Sequence, residues 1–307
     1  MTILRIALFA GVILFCLTPW ASPPIALALG VTFALTLGHP APRYNSRATR
    51  VLLQTCVVGL GFGINLQQVL TAGHTGFFFT VVSIVATLVA GFGLGKLLGV
   101  DRTTAHLISS GTAICGGSTI AAVGPVLGAT DEEMSVSLGT VFILNAVALF
   151  LFPPIGTALH LTQTQFGLWS GIAIHDTSSV VGAASKYGAE ALQIATPVKL
   201  ARALWIVPLT LVTALLFRKP STKIVVPWFI GAFLVASLIR TYVSAPELWA
   251  AVVQVARIGL TLTLFLIGAG MSRRALVAVG PRPLILGVLL WIAVSIISLY
   301  AVMATVA

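Results

Sequence analysis

Long apolar runs separated by short polar stretches make up most of the chain. A helix needs about 20 predominantly apolar residues to cross the hydrocarbon core of a bilayer. By this criterion the sequence predicts membrane segments near residues 4–18, 24–39, 48–70, 77–98, 104–128, 134–158, 166–189, 197–217, 224–242, 249–271 and 284–306. The pattern therefore predicts an all-α protein, a polytopic membrane helix bundle of about 9–11 spans.

The composition excludes an ordinary soluble protein. Of the 307 residues, 58% are hydrophobic and only 8% are charged, and the mean hydropathy is +1.08. A typical soluble domain is about one quarter charged, so this chain has too few charged residues to cover a surface that faces water. We therefore expect residues 1–307 to form a single transmembrane transporter domain, with the lipid bilayer as its solvent.

The basic residues fall mainly on one side of the predicted spans. If every segment crosses, twelve lysines and arginines, from Arg5 to Arg282, share the side of the N-terminus, whereas only Lys186 and Arg240 lie on the other side. Cytoplasmic loops carry an excess of such residues, so we expect a bacterial inner membrane protein with a cytoplasmic N-terminus and a periplasmic C-terminus. This asymmetry explains the net charge of +10, and no nucleic-acid partner is expected.

The first apolar run has features of a cleaved leader. Arg5 followed by Ile6–Leu17 has the pattern of a signal peptide, but the next residues, Thr18–Pro24, lack a small-x-small cleavage site. We therefore expect the first helix to be retained.

Motifs that would indicate an enzyme or a metalloprotein are missing from the sequence. Cys16, Cys56 and Cys115 are far apart and share no metal-ligand or disulfide spacing. No P-loop, HExxH or GxSxG motif is present. We expect no cofactor and no metal site, and we expect transport driven by an ion gradient or by the substrate's own gradient rather than catalysis.

Two internal correspondences indicate a duplicated unit. A shift of 207 residues places Leu60–Asn65 on Ile267–Ser272. A shift of 60 residues places Ser110–Ser118 on Ser170–Ser178. Small residues are common in membrane helices, but the two matches together predict a repeat whose second copy is in permuted order.

The repeat-like units are residues 24–158 and 166–306, and their relative direction bears on the topology. Transporter repeats are often inverted. Segments 104–128 and 166–189 fit an inverted repeat if each is a re-entrant hairpin that enters from its own side of the membrane. The sequence therefore predicts two broken or re-entrant segments that meet at the midplane.

The first predicted break is the run Ala113–Thr119. Gly116 and Gly117 interrupt a helix and let its backbone approach a ligand. The helical arm that begins at Ser118 would present free N–H groups and the positive end of its dipole to an anion. Thr119 and Ser118 add hydroxyl groups, so we expect this run to bind substrate. The alternative is a helix–helix contact between small residues.

The second predicted break is the run Ile174–Ser179. His175 and Asp176 are ionisable residues within a membrane segment, where a charge costs at least ~2.5–3.5 kcal/mol, so we expect them to carry protons or ions. Asp176 is also suited to cap a helix N-terminus, and the two roles are compatible. Ser178 and Ser179 are expected to bind substrate.

Three further polar residues lie near these breaks in the predicted segments. Lys199 and Arg202 are predicted to open the next helix on one face, either snorkelling to the periplasmic interface or serving as counter-charges for Asp176 or an anion. Asn145 is a candidate for ion or proton coupling, with an interhelical hydrogen bond as the alternative. Arg257 also falls inside a segment, without an assigned role.

The runs Gly111–Ser118, Phe166–Asp176 and Ala195–Arg202 resemble the bacterial YeiH-like family, usually labelled sulfate exporters, and the resemblance covers nearly the whole chain. That family is grouped with cation/proton antiporters and bile-acid-type symporters. The resemblance therefore implies inverted repeats with broken helices that cross at the midplane, which favours crossing helices over hairpins.

The functional expectation combines this resemblance with the breaks. It is a secondary active transporter that exports a sulfate-like inorganic anion and is coupled to protons or other ions. A cation/proton antiporter, in which Asp176 binds the cation and Lys199 competes with it, is the main alternative. An intramembrane enzyme using His175 and Asp176 is less favoured. The expected partners are a small inorganic ion and the bilayer, with a homodimer as one possible assembly.

Overall fold

The computed structural model describes residues 2–40, 42–63, 66, 77–217, 228–270 and 279–306. The helices in these ranges, in chain order, are α1 (Thr2–Cys16), α2 (Pro23–Thr36), α3 (Pro42–Gly61), α4 (Phe77–Leu98), α5 (Arg102–Ala113), α6 (Gly116–Leu127), α7 (Asp131–Ala158), α8 (Gln163–Ala173), α9 (Thr177–Tyr187), α10 (Ala189–Ala203), α11 (Ile206–Phe217), α12 (Trp228–Tyr242), α13 (Pro246–Gly270) and α14 (Pro281–Thr305). All regular structure in the described ranges is helical. The prediction of an all-α bundle is confirmed.

Five stretches of the described chain are long and apolar enough to cross a membrane as helices: Phe79–Leu98, Glu132–Ala158, Ala189–Phe217, Pro246–Gly270 and Pro281–Thr305. Shorter apolar helices accompany them, among them α1, α2, α6 and α12. Together they make a polytopic membrane bundle. Parts of the predicted segments 48–70, 224–242 and 249–271 lie outside the described residues, as do the predicted loop residues Arg218, Lys219, Lys223, Arg273 and Arg274.

The helix that carries Lys199 begins earlier than the sequence predicted. α10 starts at Ala189, with Glu190 in its first turn, and Pro197 lies inside it rather than before it. The polar residues of its first turns lower the local hydropathy, so the apolar run begins later in the chain than the helix does. Lys199 and Arg202 therefore lie in the C-terminal half of α10, and the prediction that they open a helix is wrong.

The described helices pack as two groups. In the first, which we call the α13 group, α13 packs against α1, α2 and α3, and α3 packs against α12. In the second, which we call the hairpin group, α7 packs against α5, α6, α9 and α14, and α14 also packs against α4 and α8. In the same group α10 packs against α8 and α9, and α11 packs against α6. The broad contacts between the groups are those of α9 with α13 and α2, and of α7 with α2.

A close crossing fixes α2 against α13. A Cβ atom added at Gly30 would lie 2.2 Å from the carbonyl oxygen of Phe265. One added at Gly268 would lie 2.5 Å from the carbonyl oxygen of Leu27. Glycines at such positions let two membrane helices approach until their backbones touch. The wall that α2 and α13 present to the hairpin group is therefore set by this pair of glycines.

The first helical hairpin consists of α5 and α6, which fold back on each other. A Cβ at Gly111 of α5 would lie 3.0 Å from Ile120 of α6. At the open end, Asp101 caps α5 by accepting a 3.0 Å hydrogen bond from the Thr104 backbone N–H, and its carboxyl group lies beside the Glu133 side chain at the start of α7. The backbone bond from Thr104 is the main cause of the lowered pKa of Asp101. The start of α5 and the end of α6 thus lie together.

The second helical hairpin consists of α8 and α9. The rings of Phe166 and Tyr187 stack with their centroids 3.8 Å apart, and the Tyr187 hydroxyl donates to the Leu161 carbonyl oxygen at 2.6 Å. The Glu190 backbone N–H, just after α9, donates to Gln163 Oε1 at 3.0 Å. The open end of this hairpin therefore brings together the residues that precede α8 and follow α9.

The two hairpins approach each other from opposite ends of α7. That helix begins beside the open end of the first hairpin, at Glu133, and ends just before the second, whose open end includes Leu161. Its 28 residues span about 42 Å at 1.5 Å per residue. The closed ends of the hairpins, which we call the first tip (Ala113–Gly116) and the second tip (Ile174–Asp176), consequently meet inside the bundle.

Candidate functional site

The first tip is a sharp turn between two helix ends. α5 ends at Ala113, Ile114 follows as its C-cap, and α6 begins at Gly116, whose φ of +45° lies in the left-handed region that glycine tolerates best. The Cys115 backbone N–H donates to Thr119 Oγ1 at 3.0 Å. The glycine predicted as a helix breaker is therefore required at this turn by its conformation.

The second tip is organised around Asp176. This residue is the N-cap of α9, and its carboxylate accepts hydrogen bonds from the Ser178 backbone N–H at 3.2 Å and from the Ser178 hydroxyl. The Asp176 backbone N–H donates to Asn145 Oδ1 of α7 at 3.1 Å. The structure places Asn145, Asp176 and Ser178 together.

The two tips touch each other. A Cβ at Gly116 would lie 3.4 Å from the Cβ of His175. Cys115 Sγ and Thr177 Oγ1 are 3.5 Å apart, and either can be the donor. The His175 ring is buried between the tips and α14, with its centroid 6.4 Å from that of Trp291, and neither ring nitrogen has a partner among the described residues. A buried imidazole without a partner is a place where a water or a proton carrier can bind.

Lys199 of α10 donates hydrogen bonds to both tips. Its Nζ donates to the Ile114 carbonyl oxygen at 3.1 Å and to the Ile174 carbonyl oxygen at 2.6 Å. The side chain is only 1% exposed. These carbonyl groups belong to the C-terminal ends of α5 and α8, which have no further helical N–H group to bind. One ammonium group therefore holds both helix ends.

Arg202, one turn further along α10, braces the first tip. Its Nε donates to the Ala113 carbonyl oxygen at 2.8 Å and its Nη1 to Ser83 Oγ of α4 at 3.1 Å. Its Nη2 has no partner in the part of the chain that the structure describes. Both Lys199 and Arg202 are buried, so the alternative in which they snorkel to an interface is wrong.

A small cavity lies beside the second tip, where the hairpin group meets the α13 group. Its polar wall consists of Asn145, Asp176, Ser178 and Ser179, and its apolar wall of Leu27, Phe142, Ala146, Leu264 and Ile267. A carboxylate, an amide and two hydroxyls can bind a small ion or its waters. The opposite wall is apolar and belongs largely to α2 and α13, so any ion here would lie at the boundary between the two groups.

The predicted substrate-binding residues of the first break do not line this cavity. Thr119 is buried, Gly117 lies near the ring of Phe142, and Ser118 is exposed. The cavity wall includes Phe142 but none of the run Gly116–Thr119. α6 begins without a hydrogen bond from a capping side chain among the described residues, in contrast to α9 with its aspartate. The two tips are thus similar in shape and different in charge.

Arg257 is a candidate site residue for which the sequence predicted no role. It lies near the middle of α13, two turns before Leu264 of the cavity wall and on the same face of the helix. Its Nε is buried and has no partner among the described residues. An arginine inside a membrane span is a functional candidate by its cost alone, and that signal was present in the sequence.

Among the described residues, no group of three or more His, Cys, Asp or Glu side chains is arranged to hold a metal ion. Cys16, Cys56 and Cys115 are free and buried. The polar chemistry of the site therefore consists of hydrogen-bonding and ionisable side chains at helix ends.

Comparison with known proteins identifies the family. The family described as "Conserved hypothetical protein 698" matches residues 3–287. A UPF0324 membrane protein of Bacteroides thetaiotaomicron is 55% identical, with 91% of this chain and 86% of that protein covered, and one of Porphyromonas gingivalis is 53% identical, with 92% and 87% covered. The UPF0324 membrane protein GSU2818 of Geobacter sulfurreducens is 48% identical over 97% of this chain and 96% of its own length.

No solved structure matches the chain. The family match covers all three runs that carry the YeiH-like resemblance, and that resemblance is confirmed at the level of the family. The relatives are membrane proteins of bacteria, in keeping with the long apolar helices described above. The chain therefore belongs to the conserved hypothetical protein 698 family, also named UPF0324, of multi-pass bacterial membrane proteins.

Proposed function

We propose that the protein is a secondary active transporter that exports a small sulfate-like inorganic anion, coupled to protons, through a site at the two hairpin tips. The observation that carries the proposal is the cavity beside Asp176 and Asn145, at the boundary between two packed groups of helices. Substrate and ion sites of secondary transporters form where discontinuous helices meet between structural repeats. An ionisable residue held there at a helix break has the position that a coupling residue requires.

The helix positions support an inverted repeat. A shift of 207 residues places α2, α3 and α4 on α12, α13 and α14, and a shift of 60 residues places α5, α6 and α7 on α8, α9 and the pair α10–α11, within three residues at every end. The hairpins that correspond in this way approach from opposite ends of α7. We propose that they are re-entrant and that their tips lie at the membrane midplane. Each arm of 11 or 12 residues reaches about 17–18 Å, enough for half of a bilayer core of about 30 Å.

In this proposal the first tip attracts the anion. The uncapped N-terminal end of α6, from Gly116 to Thr119, carries the positive end of a helix dipole. The positive charges of Lys199 and Arg202 lie directly behind the tips. Ser178 and Ser179 supply hydroxyl groups from the second tip.

Asp176 and His175 carry protons in the same proposal. Asp176 is partly exposed at the cavity, and His175 is buried beside it with both ring nitrogens free of partners among the described residues. A ring nitrogen of histidine can accept and release a proton, which makes His175 the second candidate carrier. Asn145 positions Asp176 by accepting its backbone N–H.

One observation favours the second candidate function, a cation/proton antiporter. The ionisable group in the cavity wall is the carboxylate of Asp176, whereas the side chains of Lys199 and Arg202 are occupied with backbone carbonyl groups. A carboxylate with an amide and hydroxyl groups can bind a hard cation as well as a proton.

Ion flux into and out of proteoliposomes separates the two candidates. We expect radiolabelled sulfate to leave liposomes that contain the purified protein faster when a pH gradient is imposed, and protein-free liposomes to show no such response. In the same vesicles, added Na⁺ or K⁺ should leave the pH gradient unchanged. Collapse of the gradient by Na⁺ or K⁺, with no effect on sulfate, would instead establish the antiporter.

A further inference from the structure

The C-terminal ends of two helices converge on one buried point. α5 and α8 end at the first and second tips, and the carbonyl oxygens of their C-caps, Ile114 and Ile174, both accept from the same nitrogen atom. Each helix C-terminus carries about half a negative charge, concentrated on such unpaired carbonyl groups. The tips would therefore repel each other without a positive charge between them. Broken helices in transporters place metal cations at such a point.

We infer that the Lys199 ammonium occupies a monovalent-cation site built by the helix ends of α5 and α8, and serves as a tethered substitute for a bound metal ion. The distances to the two oxygens are 3.1 and 2.6 Å, and no ion pair with a carboxylate is formed by Lys199 among the described residues. The neighbouring Arg202 donates to Ala113 of the first tip and to Ser83, so Lys199 is the cationic side chain that contacts both tips among the described residues.

The tethered ammonium removes the need for a metal cation in the transport cycle, and this step of the inference rests on the proposed transport function. A transporter that binds Na⁺ or K⁺ between its helix breaks needs that ion to hold the breaks together during each cycle. Here the lysine side chain is always present, so the tips remain joined without a metal cation. Transport should therefore be indifferent to Na⁺ and K⁺ as long as Lys199 is intact.

The test is to remove the tether and offer the free ions. Lys199→Ala vacates the site, whereas Lys199→Met fills the same space with an uncharged side chain, and Lys186→Ala removes an exposed lysine of α9 as the matched control. The Tm of each purified variant is measured in NaCl, KCl or NH₄Cl, with choline chloride at equal ionic strength as the reference. This readout needs no transport, so it distinguishes failure of this inference from failure of the proposed function.

We expect at least one of the small cations to raise the Tm of Lys199→Ala relative to choline, by roughly 2 °C or more for each tenfold increase in concentration above its Kd. The wild type, Lys199→Met and Lys186→Ala should show no such selective rise. An equal Tm of Lys199→Ala in all four salts would overturn the inference. Failure of Lys199→Ala to fold in every salt would also overturn it, whether or not Lys199→Met folds.

Discussion

Asp176 is a helix cap that also lines the cavity. The sequence predicted an ion-coupling residue that could also be a helix N-cap, and the structure shows the cap, with Ser178 as donor, at the wall of the cavity. The residue type and the break could be read from the sequence because a carboxylate within a membrane segment is costly. The targets of Lys199 and Arg202 could not, because backbone carbonyl groups have no sequence signature and the helix that carries these residues began earlier than its hydropathy indicated.

Gly116 gives a prediction about stability at the first tip. Gly116→Ala should lower the stability of the fold by about 1–2 kcal/mol, because its φ of +45° disfavours any residue with a Cβ. The added atom would also lie 3.0 Å from Val141 and 3.4 Å from His175. The measurement is thermal unfolding of the purified variant in detergent.

Gly117→Ala is the matched control for that substitution. Gly117 does not have a positive φ, and its added Cβ would meet side-chain atoms of Phe142 and Leu138 at 3.3 and 3.5 Å, which can move. Its Tm should fall less than that of Gly116→Ala. Equal losses for the two variants would show that the left-handed turn at the first tip contributes nothing special.

The elements were predictable where their chemistry is local. The two breaks, the glycine at the first tip and the aspartate at the second all followed from short runs of residues, and the helix ends agree with the internal shifts of 207 and 60 residues. The apolar wall opposite Asp176 was not predicted. It depends on how α2 crosses α13, and the glycines that allow that crossing look like any other small residues of a membrane helix.

The crossing gives a prediction at the scale of the elements. Gly268→Ala should destabilise the protein by about 1–3 kcal/mol, because the new Cβ would overlap the Leu27 backbone and force α2 away from α13. Gly231→Ala in α12 is the control, since a Cβ there meets nothing within 4 Å. Thermal unfolding compares them, and a Gly268→Ala variant as stable as Gly231→Ala would mean that the two helices are not packed as closely as described.

The basic residues predict the orientation of the whole molecule in the membrane. Arg47 of α3 is exposed on the side expected in the cytoplasm, and Glu247 at the start of α13 is exposed on the opposite side. In right-side-out cells, Arg47→Cys should resist an impermeant thiol reagent added outside, whereas Glu247→Cys should react. The native cysteines are buried and add little background. Labelling of Arg47→Cys without labelling of Glu247→Cys would reverse the orientation.

In the proposed mechanism the cavity is a transport site because it lies between the two groups of helices. The sequence predicted two broken or re-entrant segments and the polar residues of one group, but the position of the cavity depends on the contacts of α9 and α7 with α2 and α13. Those contacts join residues far apart in the chain, so no local pattern predicts them. In the proposed mechanism, exchange of an ion at this boundary requires the Asp176 carboxylate to gain and lose a proton.

The most direct test is the response of sulfate flux to a pH gradient in the Asp176→Asn variant. The amide retains the shape of the helix cap and removes a charge from a membrane segment, so the protein should fold and insert. The control is Glu190→Gln, which neutralises an exposed carboxylate at the open end of the second hairpin. We predict that Glu190→Gln keeps the wild-type acceleration by the gradient and that Asp176→Asn loses it. Wild-type acceleration in Asp176→Asn would contradict the account and leave Asp176 with the role of a helix cap alone.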